Sequence, residues 1–228
     1  MENNQSKKGR IIVIEGLDGS GKGTQSKILM EKLSQRYNVR KISFPDYDSP
    51  ASAPVQMYLH GEFGSNASCV NSYAAASFYA VDRVASYLKH WKQDYEAGTV
   101  FVLDRYVTSN MIYMPAKLPK SEWDSFLSWL SDFEYDKLGL PKPSGVIYLD
   151  MPTEISQKLM SGRYNADESK KDLHEKDVTF LNACRESALY AANKQGWTVI
   201  SCSDGEAPYT IEEIADKVYK TACTFLDI

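Results

Sequence analysis

The chain has 228 residues, of which 43% are hydrophobic, 12% aromatic and 25% charged, and its formal net charge is −4. A chain of this kind can bury a core without cross-links, as one large domain or two small ones. The acidic balance argues against a dedicated nucleic-acid binder, whose domain is normally basic, so we expect no nucleic-acid partner.

The chain starts with the polar stretch MENNQSKKGR, which leads directly into an apolar run. We interpret it as a tail before a strand and not as a signal peptide. The sequence contains no apolar run near the roughly 18 residues that cross a bilayer, so we expect a cytoplasmic protein with no membrane partner. The four cysteines are scattered without a C-x-x-C pair, and we interpret them as reduced packing residues.

Short apolar runs alternate with amphipathic stretches along the chain. Strands are predicted at 10–15, 39–44, 99–104, 145–150 and 197–202, and helices at about 21–36, 69–92, 121–136, 153–161, 174–195 and 209–226. This alternation predicts an α/β fold with a parallel five-stranded sheet flanked by helices. Because no linker rich in Pro, Gly or Ser divides the chain, we expect residues 1–228 to form a single domain.

Two segments fit neither pattern. Residues 46–68 are rich in Pro, Ser and Gly, with a short helix predicted at 53–60. The polar stretch GRYNADESKK begins at position 162 and separates two predicted helices. It is either a solvated surface loop or, at about 162–173, a short lid that closes over substrate.

A glycine-rich loop follows the first predicted strand and opens the first predicted helix. Strand, glycine-rich turn and helix are the context of a phosphate-binding loop. Gly16, Gly19 and Gly21 can adopt positive φ angles and bring N–H groups close to an anion, and Lys22 can reach the β and γ phosphates. The predicted ATP-binding residues are Gly16, Leu17, Asp18, Gly19, Ser20, Gly21, Lys22, Gly23 and Thr24.

The loop departs from the usual phosphate-loop pattern at one position. Gly23 replaces the Ser or Thr that normally follows the lysine and helps to hold magnesium, and the hydroxyl comes one residue later, at Thr24. Asp104 ends the buried run VFVLD, where a metal-binding carboxylate would lie. We therefore expect Mg²⁺, bound together with ATP, to use Thr24 and Asp104.

Three classes of protein share such a loop: small-molecule kinases, switch GTPases, and ATPases that drive assembly or motion. The guanine-reading motif Asn-Lys-x-Asp of switch GTPases does not occur in the sequence, and a motor ATPase usually has a longer chain. A nucleotide or nucleoside kinase needs a second site that holds an acceptor in line with the γ phosphate.

Two further motifs suit an acceptor site. The motif Asp104-Arg105-Tyr106 follows the third strand at its carboxyl end, where α/β sheets place ligands and where an arginine can bridge the donor and acceptor phosphates. Tyr79 and Arg83 are four residues apart in a predicted helix, so one face offers a stacking platform and a guanidinium. Taken alone, this second pair could equally be core packing with a salt bridge.

In combination, the motifs GLDGSGKGT, FPDY at 44–47, SFYAVDR, DRYVTSNMIY and YLDMP resemble those of the thymidylate kinase family. The resemblance covers nearly the whole chain. It implies an enzyme that transfers the γ-phosphate of ATP to dTMP, giving dTDP and ADP for dTTP synthesis. It also implies a homodimer packed through helices, to which residues 73–87 could contribute.

The resemblance implies roles for the residues that would hold the nucleoside. The aromatic ring of Tyr79 stacks on thymine, with Phe78 as the adjacent alternative. Arg83 reads the base with help from Asn110. Tyr113 lies where an aromatic ring would crowd a 2′-hydroxyl, which favours deoxyribose.

The resemblance also implies how the reacting groups are held. Asp18 contacts the 3′-hydroxyl of the acceptor, Lys22 binds the donor phosphates, and Arg105 and Tyr47 bind the acceptor phosphate. Phe44 and Pro45 shape the acceptor pocket through a cis peptide bond. The complete predicted acceptor set is Asp18, Phe44, Pro45, Tyr47, Tyr79, Arg83, Arg105, Ser109, Asn110 and Tyr113.

The phosphate loop differs from that of many members of this family in one residue that bears on catalysis. Many carry an arginine inside the phosphate loop, where this chain has Gly19, and those without it supply the charge from the lid. Arg163 fits that role, with Lys170 and Lys171 as weaker alternatives. The predicted catalytic residues are therefore Lys22, Arg105, Asp18 and Arg163.

Two other functions stay open at this point. The first is a kinase of another nucleoside monophosphate or of a deoxynucleoside, because GKGT also occurs in adenylate-type kinases. The second is a non-catalytic regulator that binds a nucleotide.

Overall fold

The computed structural model describes residues 8–66, 68–163 and 178–228. Five parallel strands form one sheet in the order β2-β3-β1-β4-β5. The strands are β1 (Arg10–Gly16), β2 (Val39–Ser43), β3 (Val100–Asp104), β4 (Gly145–Asp150) and β5 (Thr198–Ser201). The predicted α/β fold with a parallel five-stranded sheet is confirmed.

The described helices flank this sheet. They are α1 (Lys22–Leu33), α2 (Ala53–Leu59), α3 (Ser72–Ser86), α4 (Lys92–Glu96), α5 (Val107–Tyr113), α6 (Trp123–Ser131), α7 (Thr153–Arg163), α8 (Val178–Gln195) and α9 (Ile211–Leu226). One π-helical turn, Tyr87–Trp91, joins α3 to α4, and another, Asp132–Lys137, follows α6. No helix in these described parts of the chain is long and apolar enough to cross a bilayer.

The core lies on both faces of the sheet because successive strand residues point to opposite faces. Ile11 and Val13 of β1 belong to the layer that contains residues of α3, α5, α6 and α8. Ile12 and Ile14 belong to the other layer, which contains residues of α1 and α9. All four side chains are fully buried, as expected for a central parallel strand.

The structure differs from the sequence-based elements at several points. Helix α3 begins only at Ser72, because the Asn71 side chain accepts a hydrogen bond from the N–H of Ala74 and caps the helix. Helix α5 was not predicted, since its seven residues are too few to show a helical period. The four cysteines are free, but Cys69 is exposed, so its interpretation as a packing residue is wrong.

The sheet register brings two of the predicted motifs together. Ile14 of β1 is paired with Asp104 of β3, so the glycine-rich loop and the segment beginning at Arg105 leave the sheet side by side. Both emerge at the carboxyl ends of the strands, where open α/β sheets form their ligand sites.

Candidate active site

The glycine-rich loop has the backbone conformation that an anion cradle needs. Gly16, Gly19 and Gly21 have φ angles of 154°, 80° and 90°. Gly21 is the N-cap of α1 and gives it no side-chain cap, and the first helical hydrogen bond runs from the N–H of Gln25 to the Gly21 carbonyl. The N–H groups of the first turn therefore have no acceptor within the helix and are available to phosphate oxygens.

Lys22 is held within this loop. Its Nζ donates to the Leu17 carbonyl at 2.8 Å and lies 3.6 Å from a carboxylate oxygen of Asp18. Burial, followed by the nearby charge of Arg105, lowers the pKa of Lys22, while Asp18 opposes that shift. The lysine thus places a cation at the floor of the loop.

Asp18, Arg105 and Tyr113 form a hydrogen-bonded cluster beside the loop. The Arg105 guanidinium donates to the carboxylate of Asp18, and its Nη1 donates to the Tyr113 hydroxyl at 3.2 Å. The Tyr113 hydroxyl in turn donates to the other Asp18 oxygen at 3.2 Å. Arg105 has a φ angle of 69°, a left-handed conformation that is costly for a residue other than glycine and that is found mostly at functional sites.

Glu15 organises the segment that follows Arg105, a role that no sequence motif indicates. The carboxylate is fully buried and accepts hydrogen bonds from the Tyr106 N–H at 3.2 Å, from the Thr108 hydroxyl at 2.7 Å and from the Ser109 hydroxyl at 2.9 Å. Burial raises the pKa of Glu15, and the charge of Arg105 and the two hydroxyl donors oppose that shift.

Two cavities meet at this cluster. The first, which we call the aromatic cavity, has a volume of about 510 Å³ and is lined by Asp18, Phe44, Pro45, Tyr47, Leu59, Tyr79, Arg83, Arg105, Ser109, Asn110, Tyr113 and Met114. The second, the loop cavity, has a volume of about 1320 Å³ and is lined by Asp18, Gly19, Gly21, Lys22, Gly23, Thr24, Ser43, Phe44, Tyr47, Asp104, Arg105, Leu159 and Met160. Asp18, Phe44, Tyr47 and Arg105 border both cavities.

The deep end of the aromatic cavity holds a buried ionic network. Arg83 donates from Nε and Nη2 to the two carboxylate oxygens of Glu134, at 2.7 and 2.6 Å, and from Nη1 to the Tyr106 carbonyl at 3.2 Å. Asn110 donates to the same carboxylate at 3.0 Å and to the Ala76 carbonyl at 3.1 Å. Burial tends to lower the pKa of Arg83, but the contact with Glu134 outweighs it, so that the pKa is raised.

Comparison with known proteins identifies the family. The family model described as thymidylate kinase matches residues 14–213. A thymidylate kinase from Mycobacterium tuberculosis is 36% identical over 82% of this chain and 87% of the relative. The chain belongs to the thymidylate kinase family. Its activity is accordingly that of a dTMP kinase, the phosphorylation of dTMP to dTDP.

More distant thymidylate kinases agree with this membership. The Plasmodium falciparum protein is 28% identical over 94% of this chain and 90% of its own length. The solved structure of thymidylate kinase from Candida albicans superposes with a TM-score of 0.71 at 24% identity, covering 95% of this chain and 92% of that one. At that identity the second comparison bears on the fold alone.

With the thymidylate kinase family established, the predicted acceptor residues can be located. All of them line the aromatic cavity. Tyr79 lines it, whereas the alternative Phe78 does not and packs against Phe63 with a centroid distance of 5.5 Å. The peptide bond between Phe44 and Pro45 is cis, as expected. The alternative interpretation of Arg83 as a salt-bridged residue also applies, since Arg83 both pairs with Glu134 and lines the cavity.

Some of the residues predicted to bind ATP line the loop cavity, and others do not. Asp18, Gly19, Gly21, Lys22, Gly23 and Thr24 line the loop cavity. Gly16, Leu17 and Ser20 are not among its lining residues. The Leu17 side chain belongs to the core, and the Ser20 N–H donates to the Leu17 carbonyl at 3.2 Å, which closes the turn.

The predicted metal ligands Thr24 and Asp104 both line the loop cavity. One carboxylate and one hydroxyl suit Mg²⁺, which keeps several waters and relies on substrate phosphates, so the donor set fits. Across the described ranges, His, Cys, Asp and Glu do not cluster in threes as a dedicated protein cage would require.

The predicted lid falls almost entirely outside the described residues. Arg163 is the last residue of α7, but its side chain lies outside what is described, as do Lys170 and Lys171.

The packing of α7 against the phosphate loop explains why position 19 holds glycine and not arginine. A Cβ atom at Gly19 would lie 2.6 Å from the backbone oxygen of Ser156 on α7, and the φ angle of Gly19 is positive.

Two acidic residues to which the sequence patterns assign no role lie next to the residues of the aromatic cavity. Glu134 lies in the π-helical turn after α6, and Asp82 lies on α3 beside Arg83. The Asp82 carboxylate accepts the N–H of Asp46 at 3.0 Å and so ties the loop that carries Tyr47 to α3. Burial raises the pKa of Asp82. Glu134 reaches the site only through the tertiary fold, whereas Asp82 lies within the motif SFYAVDR, directly before Arg83.

Proposed function

We propose that the chain acts as a single P-loop kinase domain that binds ATP in the loop cavity and dTMP in the aromatic cavity, and transfers the γ-phosphate between them. The observation that carries this proposal is the shared border of the two cavities, at Asp18, Phe44, Tyr47 and Arg105. Because these residues line both cavities, a ligand in one cavity can approach a ligand in the other end to end. In-line phosphoryl transfer needs this geometry.

The nucleoside would be held by the deep part of the aromatic cavity. Tyr79 supplies the stacking surface, and Arg83 and Asn110 contact the edge of the base. Tyr113 crowds the 2′-position of the sugar, and Asp18 accepts a hydrogen bond from the 3′-hydroxyl. The hydrogen bond from the Tyr113 hydroxyl to Asp18 supports this arrangement, because it orients both side chains before substrate binds.

The donor and acceptor phosphates would meet where the two cavities share their lining residues. The N–H groups at the start of α1 and the Lys22 ammonium bind the donor phosphates, and Arg105 and Tyr47 bind the acceptor phosphate. The acceptor is already ionised at neutral pH, so the chemistry needs no general base. Catalysis then rests on positioning, on neutralising the charge of the transferring group and on excluding water.

Two further cations complete the proposal. Mg²⁺ bound with ATP would be held by Thr24 and Asp104 and would neutralise charge on the phosphates. Arg163, at the end of α7, would add a guanidinium beside the loop where Gly19 leaves none, and residues 162–173 would close over the reacting groups as a lid.

We also propose a homodimer, located in the cytoplasm as is typical of the family. Val81 on α3 and Leu88 in the turn that follows it are 50% and 60% exposed. They are seven residues apart, about two helical turns, so they lie on one side of this helical segment. A second copy of the chain would cover them.

Steady-state kinetics test the proposed function. Initial rates with ATP and Mg²⁺ should be highest for dTMP among dTMP, dUMP, dCMP, dGMP and AMP, and ADP release should depend on the acceptor. A preference for another monophosphate would contradict the assignment of Arg83 and Asn110. ADP release that ignores dTMP would contradict the assignment of the aromatic cavity as an acceptor site.

A further inference from the structure

Within the described part of the chain, the side-chain hydrogen bonds of Glu134 all join it to the two residues proposed to read the base. Its carboxylate is fully buried, and it accepts two hydrogen bonds from Arg83 and one from Asn110. The carboxylate is separated from Arg83 by 51 residues and from Asn110 by 24 residues in the chain. Glu134 does not itself line the aromatic cavity, so its hydrogen bonds reach the cavity through Arg83 and Asn110.

The first consequence concerns the orientation of the Asn110 amide. Both of its N–H bonds point at acceptors, namely the Ala76 carbonyl and the Glu134 carboxylate that is paired with Arg83. Rotating the amide by half a turn would set its oxygen against those two acceptors. The amide oxygen, which accepts no hydrogen bond within the described part of the chain, is thus left to the cavity that Asn110 lines.

The second consequence concerns Arg83. A guanidinium has five N–H donors, of which Nε and Nη2 each use one on Glu134 and Nη1 uses one on the Tyr106 carbonyl. The other two have no acceptor among the described residues, and Arg83 lines the cavity. Where Arg83 and Asn110 line the cavity, Asn110 therefore offers an acceptor and Arg83 offers donors.

We propose that Glu134 is a specificity-determining residue, because it holds Asn110 as an acceptor and Arg83 as a donor and so selects a pyrimidine with N3–H and a 4-oxo group. Glu134 is a positioning residue in this role and does not touch the substrate. The inference rests on the proposed function, in which Arg83 and Asn110 contact the base.

Thymine and uracil match this pattern, and cytosine reverses it. Thymine and uracil present an N3–H donor and an O4 acceptor, whereas cytosine presents an N3 acceptor and an N4 amino donor. Bound in the same pose, cytosine would set N3 against the Asn110 oxygen and its amino group against the Arg83 donors. A site of this kind rejects the wrong analogue strongly because buried polar groups are left unpaired.

The experiment measures the ratio of kcat/KM for dTMP to kcat/KM for dCMP in Glu134→Gln and Glu134→Asp. The glutamine amide brings a donor against Arg83 or Asn110 and no longer holds the Asn110 amide in one orientation. We expect the dTMP to dCMP ratio to fall about tenfold or more. Glu134→Asp keeps the negative charge that Arg83 needs but is too short to span both partners, so it should fold if the glutamine variant does not. Its ratio should also fall.

The matched control is Asp150→Asn. Asp150 forms the same kind of two-pronged pair with Arg185, at 2.8 and 2.9 Å, and neither residue lines the aromatic cavity. Loss of this pair should lower the melting temperature without changing the dTMP to dCMP ratio. An unchanged ratio in both Glu134 variants, or an equal fall in Asp150→Asn, would overturn the proposal.

Asn110→Ala separates this inference from the function on which it rests. A fall in the ratio for Asn110→Ala together with an unchanged ratio for the Glu134 variants overturns the role of Glu134 and leaves the base-reading assignment in place. An unchanged ratio for Asn110→Ala overturns the base-reading assignment and, with it, this inference. A fall in all three variants supports both.

Discussion

The Arg105 guanidinium lies against the Asp18 carboxylate, and both side chains border the two cavities of the site. The contact joins a residue of the phosphate loop to the residue that follows β3, and the Tyr113 hydroxyl bonds to both partners. Burial opposes the charge on Arg105, yet the Asp18 carboxylate outweighs it and raises the pKa of Arg105 well above its ordinary value. The arginine thus stays charged where the two phosphates are proposed to meet.

Replacement of Arg105 by alanine should lower kcat/KM for dTMP about 100- to 1000-fold, the loss typical of removing a donor from a developing anionic charge. Steady-state kinetics over a range of dTMP concentrations provide the measurement. Arg185→Ala is the control, because Arg185 also pairs with a carboxylate but lines neither cavity. A loss of less than about tenfold would assign the acceptor phosphate to another residue.

Arg163→Ala should depress kcat by several orders of magnitude while changing the dissociation constant for ATP little, since a catalytic guanidinium acts mainly on the transition state. Lys158→Ala, an exposed cation on the same helix, is the control. A change in kcat within a few fold would place the catalytic cation elsewhere.

Adding Gly19→Arg to Arg163→Ala should not restore the rate, although many relatives carry an arginine in the loop. The Cβ atom of any larger residue at position 19 would meet the Ser156 backbone oxygen at 2.6 Å, and the φ angle of +80° adds strain. Recovery of kcat in the double variant would show that α7 moves away from the loop at little cost.

Glu15→Gln should change how the free energy of unfolding depends on pH. Burial raises the pKa of Glu15 above its ordinary value of 4.5, so the folded protein binds this proton more tightly than the unfolded chain does. The stability due to this proton is fully present below about pH 4.5 and is lost as the pH rises through the raised pKa. Because glutamine does not titrate, the free energy of unfolding of wild type minus that of Glu15→Gln should fall with rising pH. Denaturant titrations at several pH values would contradict this if the difference stayed flat or rose.

The double variant Val81→Asp and Leu88→Asp should be monomeric at concentrations where the wild type is dimeric, because charged side chains would face each other across the proposed interface. Sedimentation velocity gives the oligomeric state. Val199→Asp is the control, since Val199 is 43% exposed but lies on β5, away from α3. A wild-type monomer, or a double variant that remains dimeric, would contradict the proposed interface.

The parts of the site that could be predicted from sequence are those that a short stretch of chain defines. The glycine-rich loop follows β1 directly, and local spacing sufficed to place Gly21 and Lys22 at the start of a helix. Glu134 and Glu15 could not be found in this way. Each is a single acidic residue without a motif, and only tertiary packing buries it against donors distant in sequence. Helix α5 could not be predicted for a different reason, since its seven residues are too few to show a helical period.

The left-handed backbone of Arg105 has a consequence for which residue suits this position. Glycine adopts a φ angle of 69° at no steric cost, whereas every side chain at that position adds strain. Glycine would, however, leave the Asp18 carboxylate without the Arg105 guanidinium, and breaking a largely buried pair costs more than this strain. The ion pair therefore holds the chain in a backbone conformation that arginine would otherwise avoid.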